Sequence, residues 1–359
     1  MRLQAFTHQM HLARPFVISA ETQETAHNAF VRLASGDEWG LGEGVPSPRV
    51  TGRTLEDVIE FIAPQAKWVA NVDADQARQM AEGMADAISG GRVEPGPGPA
   101  AVDLALLDLA GRVEGYSARE LFGLPLEASI PTSMTVSLGP IEEMVAEAGD
   151  HIRRGFNVLK IKIGPEPLAT SRLLRALRDS VPEATVRVDA NEAWTARTAS
   201  TLLPLMERHE VELIEQPFPR DSQEDMMALT KASGVPIVAD EMVRGPVDVE
   251  IIGRHKLAHG INIKLQKVGG LTTAVRMAQR AKELGLKVMV GCFIESGVGI
   301  AAASQMVGII DWADLDGHLL LADNPIPGPP VGLGVVSTPP EAGIGHGATD
   351  LDVGALMDL

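Results

Sequence analysis

Two patterns of hydrophobic and polar positions divide the chain near residue 125. Before it, the pattern predicts strands followed by helices, without alternation between the two. From Pro131 onward, short apolar runs alternate with amphipathic segments of helical period. The first pattern is typical of an α+β domain, and the second predicts repeated βα units around a parallel sheet.

The N-terminal part predicts three antiparallel strands, over Met1–Thr7, Thr25–Ala34 and Glu38–Gly44. Residues Arg14–Thr25 predict a loop that is too long for a tight hairpin and could reach over a neighbouring surface. Helices then follow, and we expect them to begin at Thr54, to span Asp73–Ser89 and to span Pro99–Glu114.

In the alternating part, eight apolar runs have the length and composition of buried strands: Met134–Leu138, Val158–Ile163, Val186–Asp189, Val211–Glu215, Ile237–Asp240, Ile261–Lys264, Lys287–Gly291 and a last one near Trp312–Asp316. Helical segments lie between them, including Ile141–Arg153, Ala196–His209, Leu271–Glu283 and one near Ile300–Val307. Eight βα units close into a barrel. An open doubly wound sheet is the alternative, but no glycine-rich dinucleotide fingerprint follows the first strand.

We therefore predict an α/β fold, a modified (β/α) barrel of the TIM type with an α+β capping domain. The capping domain is expected over residues 1–125 and the barrel over 126–322. Asn324–Pro330 has the composition of a linker, and we expect the segment 323–359 to return to the cap.

Ionisable residues stand at the C-terminal ends of the predicted barrel strands, one strand after another: Lys160 and Lys162, Asp189, Glu215, Asp240, Lys264, and Asp314 with Asp316. The C-terminal ends of barrel strands meet at one mouth, where the active sites of such barrels lie. Any one of these acids could instead cap the next helix. Their repetition in register favours a shared site.

The stretch Val158–Gly164 contains two of these ionisable residues. A period of two places Lys160 and Lys162 on one face of the strand and the apolar residues on the other. A buried strand of a parallel sheet carries no charge unless a site uses it. An edge strand with two solvated lysines is the alternative.

Three of the carboxylates, those of Asp189, Glu215 and Asp240, would repel one another at this mouth unless a cation lay between them. All-oxygen ligands favour Mg²⁺ or Mn²⁺ over zinc, and we expect one ion per subunit. Asn191 is expected to support the site from behind the ligands. No Cys-x-x-Cys pair competes for the metal, because the sequence contains a single cysteine. By alternation, Glu241 should point to the opposite face.

Lysines of the second and sixth strands face each other across such a ring. A lysine acts as a base only when it is neutral, and a nearby positive charge lowers its pKa toward roughly 7–8. We expect Lys160 and the metal ion to lower the pKa of Lys162 in this way. The ion would hold a substrate carboxylate and stabilise the enediolate formed when the α-proton leaves. Two bases on opposite sides of that carbon can remove the proton from one face and return it to the other.

These motifs resemble those of the enolase superfamily, in the muconate lactonizing enzyme subgroup, over essentially the whole chain. The resemblance implies that Lys162 is the base on one face, Lys160 its electrostatic partner and Lys264 the base on the other face. It implies the same three acids as metal ligands. The mandelate racemase branch uses a histidine on the seventh strand, and Val290–Ser296 contains none.

Asp314 and Asp316 resemble the Asp-x-Asp pair with which dipeptide epimerases of this subgroup hold the α-ammonium group of the substrate. Two carboxylates on one strand face can bind a cation through charge-assisted hydrogen bonds. A solvated acidic loop is the alternative. Thr135 and Cys292 are expected to line the substrate pocket, and Cys292 has no activating neighbour in the sequence.

In this family, the loop that corresponds to Arg14–Thr25 closes over the barrel mouth. Epimerases of the Ala-Glu type resemble one another in an arginine there, which holds the distal carboxylate of the substrate. The approximately matching position here is Glu21, with Glu24 close by. We therefore expect a dipeptide with a cationic or uncharged second residue, and not Ala-Glu. A solvated loop charge is the alternative for Glu21.

Charge and cysteine content limit the classes of binding partner and the cellular compartment that we expect for the protein. With 31 Lys and Arg against 48 Asp and Glu, the formal net charge is −17 at pH 7, which disfavours nucleic acid and anionic membranes. A single cysteine and the absence of a signal-peptide pattern suit a cytoplasmic protein. We expect a homo-oligomer, as is common among barrels of this kind.

The predicted function is metal-dependent epimerisation of a dipeptide, with Mg²⁺ as the expected cofactor. A muconate-type cycloisomerase, an o-succinylbenzoate synthase and an N-acylamino acid racemase are the alternatives among enzymes. A non-catalytic binding protein is the alternative from another class, although it would have no reason to keep lysines on both sides of a metal site.

Overall fold

The N-terminal part forms an antiparallel sheet in the computed structural model, which describes residues 1–19, 21–126, 128–349 and 352–354. Three strands pair in chain order in this sheet: β1 (Arg2–Val17), β2 (Thr22–Ser35) and β3 (Glu38–Gly44). The predicted third strand has the observed bounds, and the first two are longer than predicted.

The predicted loop over Arg14–Thr25 is wrong. β1 and β2 stay paired as far as Val17 with Thr22, past an irregularity between His11 and Phe16. The irregularity accommodates the proline and charged residues that indicated a loop, and main-chain pairing resumes beyond it. Four residues, 18–21, therefore separate the two strands in the sequence.

The end of this hairpin nevertheless lies over the barrel, as expected for the segment. Ala13 N donates to Leu320 O at 2.9 Å, and Leu138 N donates to Val17 O at 2.9 Å. These hydrogen bonds fix the hairpin end against loops at the barrel mouth.

Helices pack against the sheet, and in the described residues before 127 they are α1 (Leu55–Ile62), α2 (Gln65–Val69), α3 (Ala77–Ser89), α4 (Pro97–Glu114) and α5 (Ala118–Leu121), with a 3₁₀ turn over Ala74–Gln76. Thr54 caps α1 as predicted, because its hydroxyl accepts from Asp57 N at 3.3 Å while the Asp57 carboxylate accepts from Thr54 N at 2.8 Å. α3 begins later than predicted, and α4 begins two residues earlier, at Pro97.

α4 packs directly on β3, where glycines leave room for its backbone. A Cβ at Gly42 would lie 1.9 Å from Ala101 O, and a Cβ at Gly40 would lie 2.3 Å from Ala105 O. No side chain other than that of glycine fits at these two positions. The result is a cap whose sheet and helices share one buried apolar core.

After β4 (Ser129–Pro131), the described chain contains eight parallel strands: β5 (Ser133–Val136), β6 (Val158–Lys162), β7 (Thr185–Asp189), β8 (Leu213–Glu215), β9 (Ile237–Ala239), β10 (Gly260–Lys264), β11 (Lys287–Gly291) and β12 (Trp312–Asp314). Each pairs with its neighbours in chain order, and a parallel bridge between Thr132 and Ala313 brings the first and last together. The predicted barrel fold is confirmed.

Helices follow the barrel strands: α6 (Ile141–Arg153), α7 (Pro167–Ser180), α8 (Ala196–Arg208), α9 (Gln223–Ala232), α10 (Pro246–His255), α11 (Leu265–Val268), α12 (Leu271–Glu283) and α13 (Gly297–Ser304). The helix predicted near Ile300–Val307 is α13 and begins at Gly297. The one-turn helix α11, directly after β10, is absent from the prediction. Within the described residues, none of the helices is long and apolar enough to cross a membrane.

The register of the barrel strands aligns the ionisable residues. Lys162 pairs with Asp189 across β6 and β7, and Asp189 pairs with Glu215 across β7 and β8. Because the strands are parallel, these three residues lie in one layer at the C-terminal edge of the sheet.

The C-terminal segment returns to the cap, as predicted. Its strands β13 (Val331–Gly332) and β14 (Val335–Ser337) pair antiparallel with β4. Beyond them, Ile344 N and a His346 ring nitrogen each lie 2.9 Å from a carboxylate oxygen of Asp108, on α4. The last residues of the predicted segment, 350, 351 and 355–359, lie outside the described residues.

Candidate active site

A cavity of about 360 Å³ opens at the C-terminal ends of the barrel strands, under the end of the β1–β2 hairpin. Both parts of the protein line it. The cap contributes Phe16, Ile18, Glu21 and Arg49, and the predicted site residues that line it from the barrel are Thr135, Lys160, Lys162, Asn191, Asp240, Lys264, Cys292, Asp314 and Asp316. The structure thus brings the predicted site residues to one cavity, with Asp189 and Glu215 directly beneath Lys160.

The two lysines of β6 are buried among carboxylates. Lys160 Nζ lies 2.7 Å from an oxygen of Asp314, 2.8 Å from one of Glu215 and 3.1 Å from one of Asp189. Lys162 Nζ donates to Asp189 at 2.7 Å. β6 lies between β5 and β7, so the alternative of an edge strand with solvated lysines is wrong.

Lys264 stands on the other side of the cavity from Lys162. Its strand, β10, is four places from β6 in the order of eight strands, so the two are opposite each other around the ring. Lys264 Nζ lies 2.9 Å from an oxygen of Asp240 and 5.1 Å from the centre of the Phe293 ring. Lys162 Nζ lies 5.4 Å from the centre of the Phe16 ring. One cavity is therefore flanked by an amine on each side.

Carboxylates surround both Lys160 and Lys264 and raise the pKa of each amine. Burial is the largest influence and lowers both pKa values, but the surrounding carboxylates together outweigh it, led by Asp314 for Lys160 and by Asp240 for Lys264, so both pKa values are raised. Lys160 does tend to lower the pKa of Lys264, as like charges should. The sequence shows Lys160 and Lys162 as a pair. The carboxylates that raise the pKa of Lys160 come close to it only in the folded protein.

Burial tends to raise the pKa values of the three acids predicted to bind a metal ion, but neighbouring lysines lower those of Asp189 and Asp240. Burial and the neighbouring Asp189 carboxylate raise the pKa of Glu215 to about 8. Glu215 Oε2 accepts no aligned hydrogen bond, although Lys160 Nζ is 2.8 Å away. A buried carboxylate in this state favours any cation that can reach it.

In the present arrangement, each of these three acids contacts a lysine side chain. Among the described residues, no three histidine, cysteine, aspartate or glutamate side chains form a ready-made metal cluster. The donors of Asp189, Glu215 and Asp240 are nevertheless all carboxylate oxygens on adjacent strands, a set that fits Mg²⁺ or Mn²⁺ and not zinc.

Neighbouring groups fix the orientation of the acids. Asn191 N donates to Asp189 at 2.9 Å, which agrees with the supporting position expected for Asn191. Asn262 Nδ2 donates to Glu215 at 2.8 Å, and the Gln216 side chain accepts from Asp240 N at 2.8 Å. The sequence analysis missed Asn262, although it lies two residues before Lys264 and therefore on the same face of β10.

The Asp-x-Asp pair is buried, so the alternative of a solvated acidic loop is wrong. Asp314 accepts from Ser133 Oγ at 2.6 Å and contacts Lys160, while Asp316 accepts from Thr135 N at 2.8 Å. Burial and the Asp314 carboxylate raise the pKa of Asp316. Two carboxylates at one wall of the cavity form a site that favours a cationic group.

Cys292 lies behind this pair. Its thiol donates to Asp314 O at 3.2 Å and accepts from Gly317 N at 3.3 Å. Burial and the Asp316 carboxylate raise the pKa of the thiol well above its ordinary value. A thiol that stays protonated is a poor nucleophile, so the raised pKa disfavours a nucleophilic role for Cys292.

Arg49 is a cavity residue that the sequence analysis missed. It comes from the cap, and its guanidinium lies 3.3 Å from an oxygen of Glu192 and 3.1 Å from one of Glu241. The prediction that Glu241 points to the opposite face is wrong, because β9 ends at Ala239 and alternation does not extend past it. Glu241 instead accepts from both Arg49 and Asn191 at the mouth.

Comparisons with known proteins agree with this geometry. The family described as "Mandelate racemase / muconate lactonizing enzyme, N-terminal domain" matches residues 2–123, and the one described as "Enolase C-terminal domain-like" matches residues 143–349. An L-Lys-D/L-Arg epimerase from Methylococcus capsulatus is 35% identical over 328 residues, which cover 89% of this chain and 90% of that protein. An L-Ala-D/L-Glu epimerase from Escherichia coli is 31% identical over 321 residues, which cover 89% of this chain and 94% of that protein.

A crystal structure of a dipeptide epimerase from Methylococcus capsulatus, complexed with Mg and the dipeptide L-Arg-D-Lys, is similar with a TM-score of 0.88 and 32% identity. The match covers 96% of this chain and 98% of that one. The resemblance predicted from the lysine and carboxylate motifs is confirmed. This chain belongs to the enolase superfamily, in the group with a mandelate racemase / muconate lactonizing enzyme N-terminal domain.

Proposed function

We propose that this protein is a divalent-metal-dependent dipeptide epimerase. The observation that carries the proposal is the position of Lys162 and Lys264 on opposite sides of one cavity. Inversion at a carbon α to a carboxylate needs a proton donor and a proton acceptor on its two faces, and these two amines provide them. The names of the similar proteins, which are epimerases of dipeptides, support the same reaction.

In the proposed 1,1-proton transfer, the amine on one face takes the α-proton and an enediolate forms. The amine on the other face returns a proton, and the configuration at the carbon is inverted. Lys162 and Lys264 exchange these roles when the reaction runs in reverse. Lys160 is buried in contact with three carboxylates, and we assign it as the electrostatic partner of Lys162.

Asp189, Glu215 and Asp240 would hold the metal ion, with one ion per subunit. Mg²⁺ is the expected ion and Mn²⁺ a possible substitute, because the donor set consists of carboxylate oxygens. When bound, the ion stabilises the negative charge that develops on the substrate carboxylate. Asn191, Gln216 and Asn262 keep the three acids oriented through the hydrogen bonds described above.

Asp314 and Asp316 are proposed to hold the α-ammonium group of the dipeptide. Asp316 Oδ2 accepts from Thr135 N, while Oδ1 is contacted, within the described part of the chain, by the Cys292 thiol alone at 3.8 Å and is available to a cation. A cycloisomerase or an o-succinylbenzoate synthase has no substrate ammonium group to bind. Two buried acids at this wall therefore favour the dipeptide over those alternatives.

The second residue of the dipeptide is proposed to be cationic or uncharged. Glu21 lines the cavity from the cap. Arg49, which lines the same side, is already paired with Glu192 and Glu241 and does not offer a free charge to a substrate carboxylate. Negative charge is therefore in excess where a distal side chain would lie. The related epimerase whose name gives Lys and Arg as substrates is consistent with this preference.

A proton-exchange screen tests the reaction. A dipeptide library is incubated in D₂O with Mg²⁺, and deuterium at the α-carbon is followed by NMR and mass spectrometry. We expect deuterium and both configurations in substrates with a lysine, arginine or neutral second residue. Lys162→Ala and Lys264→Ala should abolish epimerisation, and Lys231→Ala, an exposed lysine on α9, should not.

Two results would contradict the proposal. Exchange confined to dipeptides with a glutamate second residue would reject the assigned specificity. Full activity with only one of the two cavity lysines would favour a one-base cycloisomerase or synthase, and no exchange together with no divalent-metal binding would favour a binding protein.

We further propose that the protein works in the cytoplasm as a homo-oligomer, with a dipeptide as its small-molecule partner. The single cysteine supports a reducing compartment, and the net charge of −17 disfavours nucleic-acid and membrane partners. Light scattering after size-exclusion chromatography gives the oligomeric state, and a monomer at micromolar concentration would contradict the assembly.

A further inference from the structure

A second lysine follows the proposed base Lys264 after one helical turn. Lys267 lies on α11 and its side chain is 0% exposed. A buried lysine without partners is strongly unfavourable, so a fully buried ammonium group implies a set of acceptors built around it. Lys267 does not line the active-site cavity, as the described residues define it.

The three acceptors of Lys267 are two oxygens of Asp240 and one backbone oxygen of Asn262. Its Nζ donates to Asp240 O at 2.5 Å, to Asn262 O at 3.0 Å and to Oδ1 of the Asp240 carboxylate. An ammonium group has three protons, so these contacts satisfy it completely. Because the ammonium binds the carbonyl and the carboxylate of the same residue, it fixes the Asp240 side chain relative to its own backbone.

Lys264 and Lys267 each contact a different oxygen of the Asp240 carboxylate. Lys264 contacts Oδ2 at 2.9 Å, and Lys267 contacts Oδ1. Asp240 lies just past the end of β9, where no strand pairing holds it, and its own N–H bonds to the Gln216 side chain. Without Lys267, Lys264 would be the one lysine or arginine of the described residues in contact with the Asp240 carboxylate.

We propose that Lys267 is a positioning residue that holds Asp240 ready to bind the divalent ion. It donates a hydrogen bond to one carboxylate oxygen and leaves the other, which Lys264 contacts in this structure, to the ion, so that Lys264 is free to move a proton. The role rests on the proposed function in one respect only, the assignment of Asp240 as a metal ligand.

Metal binding, measured apart from catalysis, tests this role. Mn²⁺ affinity of the full chain is determined by electron paramagnetic resonance for wild type, Lys267→Met, Lys267→Gln and Lys267→Arg. Substitutions of groups that orient metal ligands commonly weaken metal binding by about 10–100-fold, and we expect this loss in the Met variant. Arg keeps the charge and several donors, so Lys267→Arg should recover part of the affinity.

Folding and a surface lysine provide the controls. Lys282→Met removes an exposed lysine from α12 and should bind Mn²⁺ as wild type does. Circular dichroism and thermal unfolding without metal identify a variant that is not folded, and Lys267→Gln, which keeps a hydrogen-bond donor, replaces Lys267→Met in that case.

The outcomes separate this proposal from the proposed function. Wild-type affinity in a folded Met or Gln variant overturns the role of Lys267 and leaves the epimerase intact. Absence of Mn²⁺ binding by wild type overturns the metal assignment itself, and the role of Lys267 with it. A loss of affinity that Arg partly restores supports the proposal.

Discussion

Reversing the charge of Glu21 should reverse the preference of the protein for the charge of the second residue of the dipeptide. Glu21 is exposed at the cavity edge, so its interaction with a substrate charge takes a value close to that in water. Two unit charges about 4 Å apart in water interact by about 1 kcal/mol. Glu21→Arg turns an attraction for a cationic second residue into a repulsion, a change of about 2 kcal/mol.

A change of about 2 kcal/mol corresponds to about 30-fold in kcat/KM. We expect Glu21→Arg to lower kcat/KM by this factor for a dipeptide with lysine at the second position. The kcat/KM for a dipeptide with glutamate there should rise by a similar factor. Both are measured from the initial rate of epimerisation by polarimetry, at low salt because exposed charges are screened.

Glu24→Arg is the matched control. Glu24 is also exposed and three residues away, but it does not line the cavity as the described residues define it. The same charge change at that position should leave the ratio of the two kcat/KM values within about threefold, because a more distant exposed charge is largely screened. An equal effect of both substitutions, or no effect of Glu21→Arg, would refute the placement of the second side chain beside Glu21.

Three further predictions concern the amines, the tail and the thiol. Lys264→Ala should lose epimerisation but still exchange the α-proton of the single stereoisomer whose proton faces Lys162, and NMR in D₂O that found exchange of both stereoisomers would contradict this. Asp108→Asn should lower the free energy of unfolding at pH 7 by about 3–5 kcal/mol, because it removes the buried carboxylate that contacts Arg112 at 3.3 Å and a ring nitrogen of His346 at 2.9 Å. Although burial opposes it, His346 lowers the pKa of Asp108, so this stabilisation is present above the ordinary value of 3.8 and is lost as the pH falls through the lowered pKa. Urea unfolding at several pH values measures it, and equal stability of both proteins at pH 7 would contradict it. Cys292 should resist alkylation by iodoacetamide at about pH 8 in the folded protein and react once unfolded, and rapid labelling of the folded protein, seen by mass spectrometry, would contradict the raised pKa.

The barrel was predictable because its signals are local. A strand of five residues between amphipathic helices is visible in the sequence itself, and so is the period of two that places Lys160 and Lys162 on one face. The bounds of α6, α12 and β11 agree with prediction for this reason. The repeat of ionisable residues at strand ends predicted a shared site for the same reason.

The contacts between cap and barrel were not predictable in this way. Pro15 and the charged residues around it indicate a loop, whereas pairing with a partner strand extends β1 to Val17. Arg49 has no local signal at all, because its partners Glu192 and Glu241 are distant in sequence and meet it only in the folded protein. Lys267 is similar, since its acceptors become visible only when α11 packs beside the end of β9.

The shared cavity has an evolutionary consequence. The groups proposed to move protons belong to the barrel, whereas Glu21, the charge proposed to select the distal side chain, belongs to the cap. Mutations at that position of the cap can therefore redirect the protein to new substrates while the reaction machinery stays intact. Proteins with this architecture can change their substrates through residues of the cap while the reacting groups of the barrel stay the same.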